Sequence, residues 1–169
     1  PAILSRIEPE EVRYLRLNHT TRSSCIHPLH LPESADDARR YVRLAVKAHP
    51  ELYFARFVIL GEGDSERFII PQLAEKMGIS LDPSFVAVVP LGGRFVTHFW
   101  TLLNDLNIPY ATLLDLDLGR QHGGVKTIRS CFNNLQILPE EKQFWKDSSY
   151  KYPEVTPDAI DKLTDQDLL

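Results

Sequence analysis

Short apolar runs alternate with longer amphipathic stretches through the middle of the chain. Residues 57–60 form a run with β-branched side chains that stops at Gly61 and Gly63, which predicts a buried strand and a tight turn. Two further apolar runs and two stretches with helical spacing follow. They predict strands at residues 85–90 and 110–114 and helices at residues 65–77 and 94–106. The order βαβαβ indicates an α/β fold with a mainly parallel sheet flanked by helices.

The flanking segments predict a small number of further elements. Strand formers on both sides of a turn at residues 20–24 predict an N-terminal hairpin, and a helix should follow it and stop at His49-Pro50. The predicted hairpin strands are residues 11–17 and 25–31, and the predicted helices are residues 35–48, 125–135, 157–163 and 164–169. Pro71 lies inside the helix predicted at residues 65–77, where it should produce a kink.

Two acidic elements follow predicted strands. The turn after the first strand presents Glu62 at the strand's carboxyl end, where open parallel sheets bind their ligands. Asp115 and Asp117 follow the strand at residues 110–114, and residues two apart on a strand face the same way. Grouped carboxylates repel one another unless a cation is present, and Mg²⁺ prefers carboxylate oxygens. The sequence therefore predicts a divalent metal site.

These motifs resemble those of a known superfamily. A Gly-Glu-Gly turn at residues 61–63 and an Asp-x-Asp at residues 115–117 are similar to the signature of Toprim domains. The longer sequence Leu-Gly-Glu-Gly-Asp-Ser-Glu at residues 60–66 most resembles that of the OLD (overcoming lysogenization defect) family of nucleases. The resemblance extends over residues 1–138 and implies a Toprim-like (Rossmann-like) fold, with an N-terminal hairpin and helix in front of it.

The resemblance divides the chain into three parts. Residues 1–54 correspond to the closing segment of the ATPase domain that precedes Toprim in OLD proteins, residues 55–138 to the Toprim catalytic core, and residues 139–169 to a C-terminal helical tail. Because Pro1 stands where an initiator methionine would be, we expect the chain to be cut from a longer protein. No Gly-x₄-Gly-Lys-Ser/Thr motif occurs, so we expect no ATP binding by this fragment.

The resemblance also implies the site residues. Glu62, Asp115 and Asp117 would be catalytic and would hold Mg²⁺ or Mn²⁺, with two ions expected, although Glu62 is alternatively a general base. Glu66 would be a further metal ligand, or else a charge that compensates the helix N-terminus. Asp64 has the pattern of a helix N-cap.

The substrate contacts and the remaining candidates follow from local patterns. Gly92 and Gly93 predict either a tight turn or a close approach to phosphate, with Arg94 at a helix N-terminus as a substrate contact. Many Toprim proteins have a third aspartate two residues beyond the Asp-x-Asp, and this chain has Gly119 there. The further candidates for acid, base or catalytic lysine roles are His98, His122, Lys126 and Lys142.

Composition narrows the class of protein. The 169 residues are 43% hydrophobic, which suits one buried domain with appendages, and the net charge of −4 argues against coating nucleic acid by bulk charge alone.

Cys25 and Cys131 lie far apart, so we expect reduced thiols. A zinc site at Cys25, His27 and His30 is not favoured, because Pro28 interrupts it and a fourth ligand is missing. No apolar run reaches the length of a membrane span and no signal peptide is present, so a cytoplasmic protein is expected.

The sequence thus predicts a metal-dependent DNA endonuclease, the Toprim nuclease module of an OLD-family protein. The alternatives are a Toprim domain for primase-like or topoisomerase-like strand transfer, and a non-catalytic DNA-repair interaction module. The expected partners are DNA, the ATPase domain of the parent chain and a second copy in a full-length homodimer, with no membrane partner.

Overall fold

The computed structural model describes residues 3–18, 20–28, 40, 43–44, 46–91, 96–136 and 157–168. Contacts group the chain into two compact units, Pro1–Leu114 and Asp115–Leu169. The strands are β1 Arg13–Asn18, β2 Ser23–Pro28, β3 Phe57–Gly61, β4 Val86–Pro90 and β5 Tyr110–Thr112. The helices are α1 Asp64–Lys76, α2 Val96–Asp105, α3 Val125–Gln136 and α4 Pro157–Lys162. None of these helices is long and apolar enough to cross a membrane. The domain boundaries expected after residues 54 and 138 stay predictions.

The N-terminal hairpin is confirmed. β1 and β2 are antiparallel, with Tyr14 opposite His27 and Asn18 opposite Ser23. The side-chain oxygen of Asn18 accepts the backbone N–H of Thr20 at 2.9 Å, which is a local turn interaction typical of asparagine. Each strand overlaps the predicted one but lies closer to the turn.

A helical segment and a 3₁₀ helix connect the hairpin to the sheet. The described residues within the predicted helix at residues 35–48 are helical, and the others lie outside the described part of the chain. The helical residues are 40, 43–44 and 46–48. The segment stops before His49 as predicted, because the residue before a proline disfavours helix. A 3₁₀ helix at Pro50–Phe54 follows, which the hydrophobic pattern does not predict.

The sheet of the first unit has three parallel strands in the order β4-β3-β5. Val58 of β3 lies opposite Ala87 of β4 and Tyr110 of β5. The predicted parallel α/β sheet is therefore confirmed, with the strand that precedes Glu62 at its centre.

One face of this sheet carries the core together with α2. Side chains opposite each other in parallel strands share a face, so Thr112 lies on the same face as Leu60. The indole N–H of Trp100 in α2 donates to the Thr112 hydroxyl at 2.8 Å, which holds α2 against this face. The almost completely buried side chains here include Val58, Leu60, Val89, Phe99, Leu102, Leu103 and Leu106. The apolar residues at helical spacing in the helix predicted at residues 94–106 are therefore buried, apart from Phe95, which lies outside the described residues.

The apolar residues at helical spacing in α1 do not mark the buried side of the helix. The apolar side chains of α1 and its C-terminal cap are at least half exposed at Phe68 (67%), Ile69 (53%), Leu73 (53%) and Met77 (73%). The buried line of the helix runs instead through Ala74 and half-buried Ile70, one turn apart. Helical spacing thus identified the helix but not the side that packs. Although α1 contains Pro71, it is one continuous helix, and the kink expected there stays a prediction.

The second unit is built around α3 and α4. The Arg129 side chain of α3 donates to the carbonyl oxygens of Ile160 at 3.3 Å, Asp161 at 2.6 Å and Leu163 at 3.1 Å. These bonds tie α3 to carbonyls at and just beyond the C-terminal end of α4. The predicted helices at residues 125–135 and 157–163 are confirmed, and the last predicted helix is a 3₁₀ helix at Asp165–Leu168.

We expect Phe99→Ala to lower the free energy of unfolding by about 3–5 kcal/mol, because its ring is fully buried and its removal leaves a cavity. Phe68→Ala removes the same ring from an exposed position on α1, and we expect a change within about 0.5 kcal/mol. Urea denaturation followed by circular dichroism measures both. Equal losses from the two variants would contradict the exposure of the apolar side of α1.

Candidate active site

Glu62 leaves the carboxyl end of the central strand, as predicted. β3 ends at Gly61, and both neighbouring strands continue to bond to that end. The Leu91 N–H donates to the Gly61 carbonyl at 2.8 Å, and the Leu113 N–H donates to the Leu60 carbonyl at 2.8 Å. The sheet therefore fixes the point at which half-buried Glu62 emerges, and α1 begins directly after the turn.

The Glu66 carboxylate folds back over this turn. Its Oε2 accepts the Gly63 N–H at 2.8 Å and its Oε1 accepts the Ser65 hydroxyl at 3.0 Å. Gly63 is the N-cap of α1 and Asp64 is the first helical residue, so the N-cap role expected for Asp64 is wrong. Since glycine has no side chain to cap the helix, Glu66 supplies the carboxylate half of a capping box.

These hydrogen bonds keep Glu66 ionised. The Gly63 N–H contributes most to lowering the pKa of Glu66, followed by the backbone N–H of Glu66 itself and the Ser65 hydroxyl. A negative charge here also suits the positive end of α1. The compensating role considered for Glu66 is therefore present in the structure, and a role as metal ligand stays a prediction.

Gly61 makes room for the folded Glu66 side chain. A Cβ added at Gly61 would lie 2.5 Å from Glu66 Cβ and 3.0 Å from its Cγ, closer than side chains approach. A Cβ at Gly63 would meet nothing nearer than the Glu66 carboxylate at 3.8 Å. Of the two glycines that flank Glu62, only the first is required by packing against Glu66.

The aspartates do not continue a strand. β5 ends at Thr112, so the alternation expected to aim Asp115 and Asp117 in one direction does not apply. Asp115 is exposed, and Asp117 has a φ of 50°, in the left-handed region that few residues other than glycine adopt. The Asp117 carboxylate pairs with the Arg120 guanidinium at 3.0 Å. The direction of Asp117 is therefore set by a loop.

That loop closes on itself within the second unit. The Arg120 N–H donates to the Asp117 carbonyl at 3.0 Å, and the Gly124 N–H donates to the Leu116 carbonyl at 2.6 Å. Buried Gly123 packs against the Asp117 backbone. Arg120 and Gly123 were not among the predicted site residues, although paired glycines six and seven residues beyond Asp117 are a signal for a tight loop.

The other predicted site residues either lie outside the described part of the chain or lie on α2, in a turn or on α3. Gly92, Gly93 and Arg94 lie outside the described residues, as does Lys142. His98 lies on α2 and His122 in an exposed turn. The Lys126 ammonium donates to the Gln121 carbonyl at 3.0 Å.

Among the residues that the structure describes, no group of three or more His, Cys, Asp or Glu side chains is arranged to hold a metal ion. Glu62 and Glu66 belong to the first unit, and Asp115 and Asp117 to the second.

The family comparison covers this part of the chain. Residues 53–117 match the profile of the overcoming lysogenization defect protein-like TOPRIM domain. Residues 53–117 are an OLD-like Toprim domain. The match begins just before β3 and includes all four predicted carboxylates. The fold of this Toprim domain is the predicted α/β class, with a parallel sheet and flanking helices.

Relatives of the Toprim domain occur in longer proteins. Endonuclease GajA of Bacillus cereus (strain VD045) is 25% identical over 137 residues, which are 79% of this chain and 23% of GajA. Two structures of the C-terminal region of the Xanthomonas campestris pv. campestris OLD protein are also similar. One is 34% identical, covers 69% of this chain and 49% of that one, and has a TM-score of 0.43. The other is 33% identical, with coverages of 67% and 49% and a TM-score of 0.42. The chain thus spans about a quarter of the curated relative and about half of the solved ones.

We expect Gly61→Ala to destabilise the chain by about 1–3 kcal/mol, because the new methyl group overlaps Glu66 and one of the two must move. Gly63→Ala is the matched control, since its Cβ has room and an N-cap glycine contributes little, so its cost should stay below about 1 kcal/mol. Chemical denaturation measures both. Equal costs would show that Gly61 is not packed against Glu66 in solution.

Glu66→Gln keeps the size of the side chain and an acceptor for the Gly63 N–H but removes the charge. The pKa of Glu66 is lower in the folded chain than its ordinary value, so the ionised form stabilises the fold above about pH 4.3. That contribution is lost as the pH falls through the lower folded-state pKa. We expect the variant to be less stable than the unaltered chain at about pH 7, with the difference shrinking as the pH falls through the lowered pKa of Glu66. Urea midpoints across this range measure it, and a difference independent of pH would point to packing instead.

Proposed function

We propose that this Toprim domain is the catalytic module of a metal-dependent DNA endonuclease that hydrolyses phosphodiester bonds. One observation carries the proposal: the OLD-like Toprim match spans Glu62, Glu66, Asp115 and Asp117, the residue types that such chemistry needs. The curated relative is an endonuclease, which supports the same reaction class. Because the chain is a quarter of that relative, its full activity, substrates and partners are part of the proposal.

Divalent cations suit the donor set. Toprim nucleases generally use divalent metal ions. Glu62, Asp115 and Asp117 supply hard carboxylate oxygens, the ligands that Mg²⁺ and Mn²⁺ prefer, and ionised Glu66 is a further ligand. Two ions would match four carboxylates. When bound, such ions supply the positive charge that activates a water nucleophile and offsets charge on the scissile phosphate.

The residues of this chain have distinct tasks in the proposal. Glu62 binds metal or takes a proton as general base, from a position fixed by the end of β3. Arg120 neutralises Asp117 when no cation is present, and its side chain is 79% exposed and so accessible to a phosphate. Gly92, Gly93 and Arg94 are proposed to approach the DNA backbone.

The remaining parts of the proposal concern partners. DNA affinity depends mainly on Lys and Arg contacts to phosphates, and a chain with a net charge of −4 offers few. We therefore propose that an ATPase domain of a longer chain, and a second copy in a homodimer, complete DNA binding. The chain alone should cleave more slowly than the longer protein and should not respond to ATP.

We expect Asp115→Ala to reduce Mn²⁺ affinity and plasmid cleavage by at least about 10–100-fold while the fold is kept, because a metal ligand is lost and carboxylate repulsion is relieved. Asp82→Ala, at an exposed carboxylate outside the Toprim motifs, should leave both unchanged. Calorimetric Mn²⁺ titration, plasmid nicking against EDTA and circular dichroism provide the three readouts.

The same plasmid assay separates this function from its rivals. Nicked and linear products that require Mn²⁺ support an endonuclease, whereas relaxation without nicking would support strand transfer. DNA binding without any product would support an interaction module. Loss of activity in Asp115→Ala that is explained by unfolding would remove the support for a ligand role.

A further inference from the structure

Gly123 lies buried directly against the backbone of Asp117. A Cβ added at Gly123 would overlap the Asp117 carbonyl oxygen and would lie 2.5 Å from the carbonyl carbon and 2.8 Å from Asp117 Cβ. The atoms in its way are main chain, so they cannot rotate aside as the end of a flexible side chain can. Any side chain at position 123 must therefore displace Asp117.

The contact holds Asp117 in an unusual conformation. With a φ of 50°, Asp117 directs its side chain differently from an extended residue at the end of a strand. Three backbone hydrogen bonds within the loop accompany this geometry. They run from the Arg120 N–H to the Asp117 carbonyl, from the Gly123 N–H to the Arg120 carbonyl and from the Gly124 N–H to the Leu116 carbonyl.

Another glycine of the same loop lacks this contact. Gly119 is exposed, has a φ of 84°, and would place a Cβ with no atom within 4 Å. Alanine at Gly119 is strained by its backbone alone, whereas alanine at Gly123 is excluded by Asp117. The two positions therefore separate a general loss of loop stability from a displacement of the aspartate.

We propose that Gly123 is a positioning residue for Asp117: its missing side chain lets the loop close, which sets the direction in which the Asp117 carboxylate reaches a divalent cation. The proposal rests on the proposed function, since it takes Asp117 to be a metal ligand. Gly123 itself touches neither metal nor substrate. Its effect on metal binding passes through Asp117 and should disappear when Asp117 is no longer a ligand.

A double-mutant cycle on the full chain tests this dependence. Mn²⁺ dissociation constants are measured by electron paramagnetic resonance of the free ion for the unaltered chain, Gly123→Ala, Asp117→Asn and the combined variant. We expect Gly123→Ala to weaken Mn²⁺ binding about tenfold, the effect of a residue that supports a ligand. In the Asp117→Asn background the same change should have no further effect.

Gly119→Ala is the control for destabilisation. It should lower the unfolding midpoint through its backbone strain and leave the Mn²⁺ affinity within about twofold, because it has no contact with Asp117. If Gly123→Ala does not fold, a glycine inserted between Gly119 and Arg120 replaces it in the cycle. The insertion opens the loop without adding a side chain, and it should give the same Asp117-dependent loss.

The outcomes are distinguishable. Unchanged Mn²⁺ binding in Gly123→Ala, or in the insertion variant that replaces it, would overturn the positioning role and leave the metal site intact. An equal loss with and without Asp117 would also overturn it, because the effect would then be structural. No Mn²⁺ binding by the unaltered chain would overturn the metal assignment and this proposal together.

Discussion

The carboxyl end of β3 is the constraint on which the first unit depends. Its last two carbonyls are bonded by residues that follow the neighbouring strands on either side, so the strand end cannot shift without breaking both contacts. Gly61, held there, leaves space for Glu66 to fold back and bond the Gly63 N–H. One fixed backbone position thus determines where α1 begins and where Glu62 emerges.

Hydrophobic periodicity predicted the helices and strands well, because the spacing of apolar residues reflects which side chains a helix or strand would turn away from water. It could not predict which side of α1 is covered, since Ile69, Leu73 and Met77 follow the helical repeat and are nevertheless exposed. Periodicity also could not predict the Asp117 conformation. A single left-handed residue leaves no trace in an apolar pattern, and its cause, the close approach of Gly123, lies six residues further along the chain.

The candidate site was predictable to the level of residue type and family. Glycines around a strand-end glutamate and an aspartate pair identify the Toprim signature, and of these glycines Gly61 has a steric reason to be there. The two roles considered for Glu66 are compatible in physical terms. Its two oxygens accept bonds from the Gly63 N–H, the Ser65 hydroxyl and the Glu66 N–H, and a carboxylate has about four acceptor sites in total. Capping α1 therefore leaves an acceptor site for a cation.

The three carbonyls held by Arg129 have a consequence for how this position can change over evolution. The planar guanidinium reaches Ile160, Asp161 and Leu163 at once through Nε and Nη2, a geometry that the single ammonium of lysine does not reproduce. Arginine-to-lysine exchange is among the mildest changes at exposed ion pairs. At position 129 the exchange to lysine would lose these bonds. We therefore expect far fewer substitutions to be tolerated there than the partial exposure of the side chain suggests.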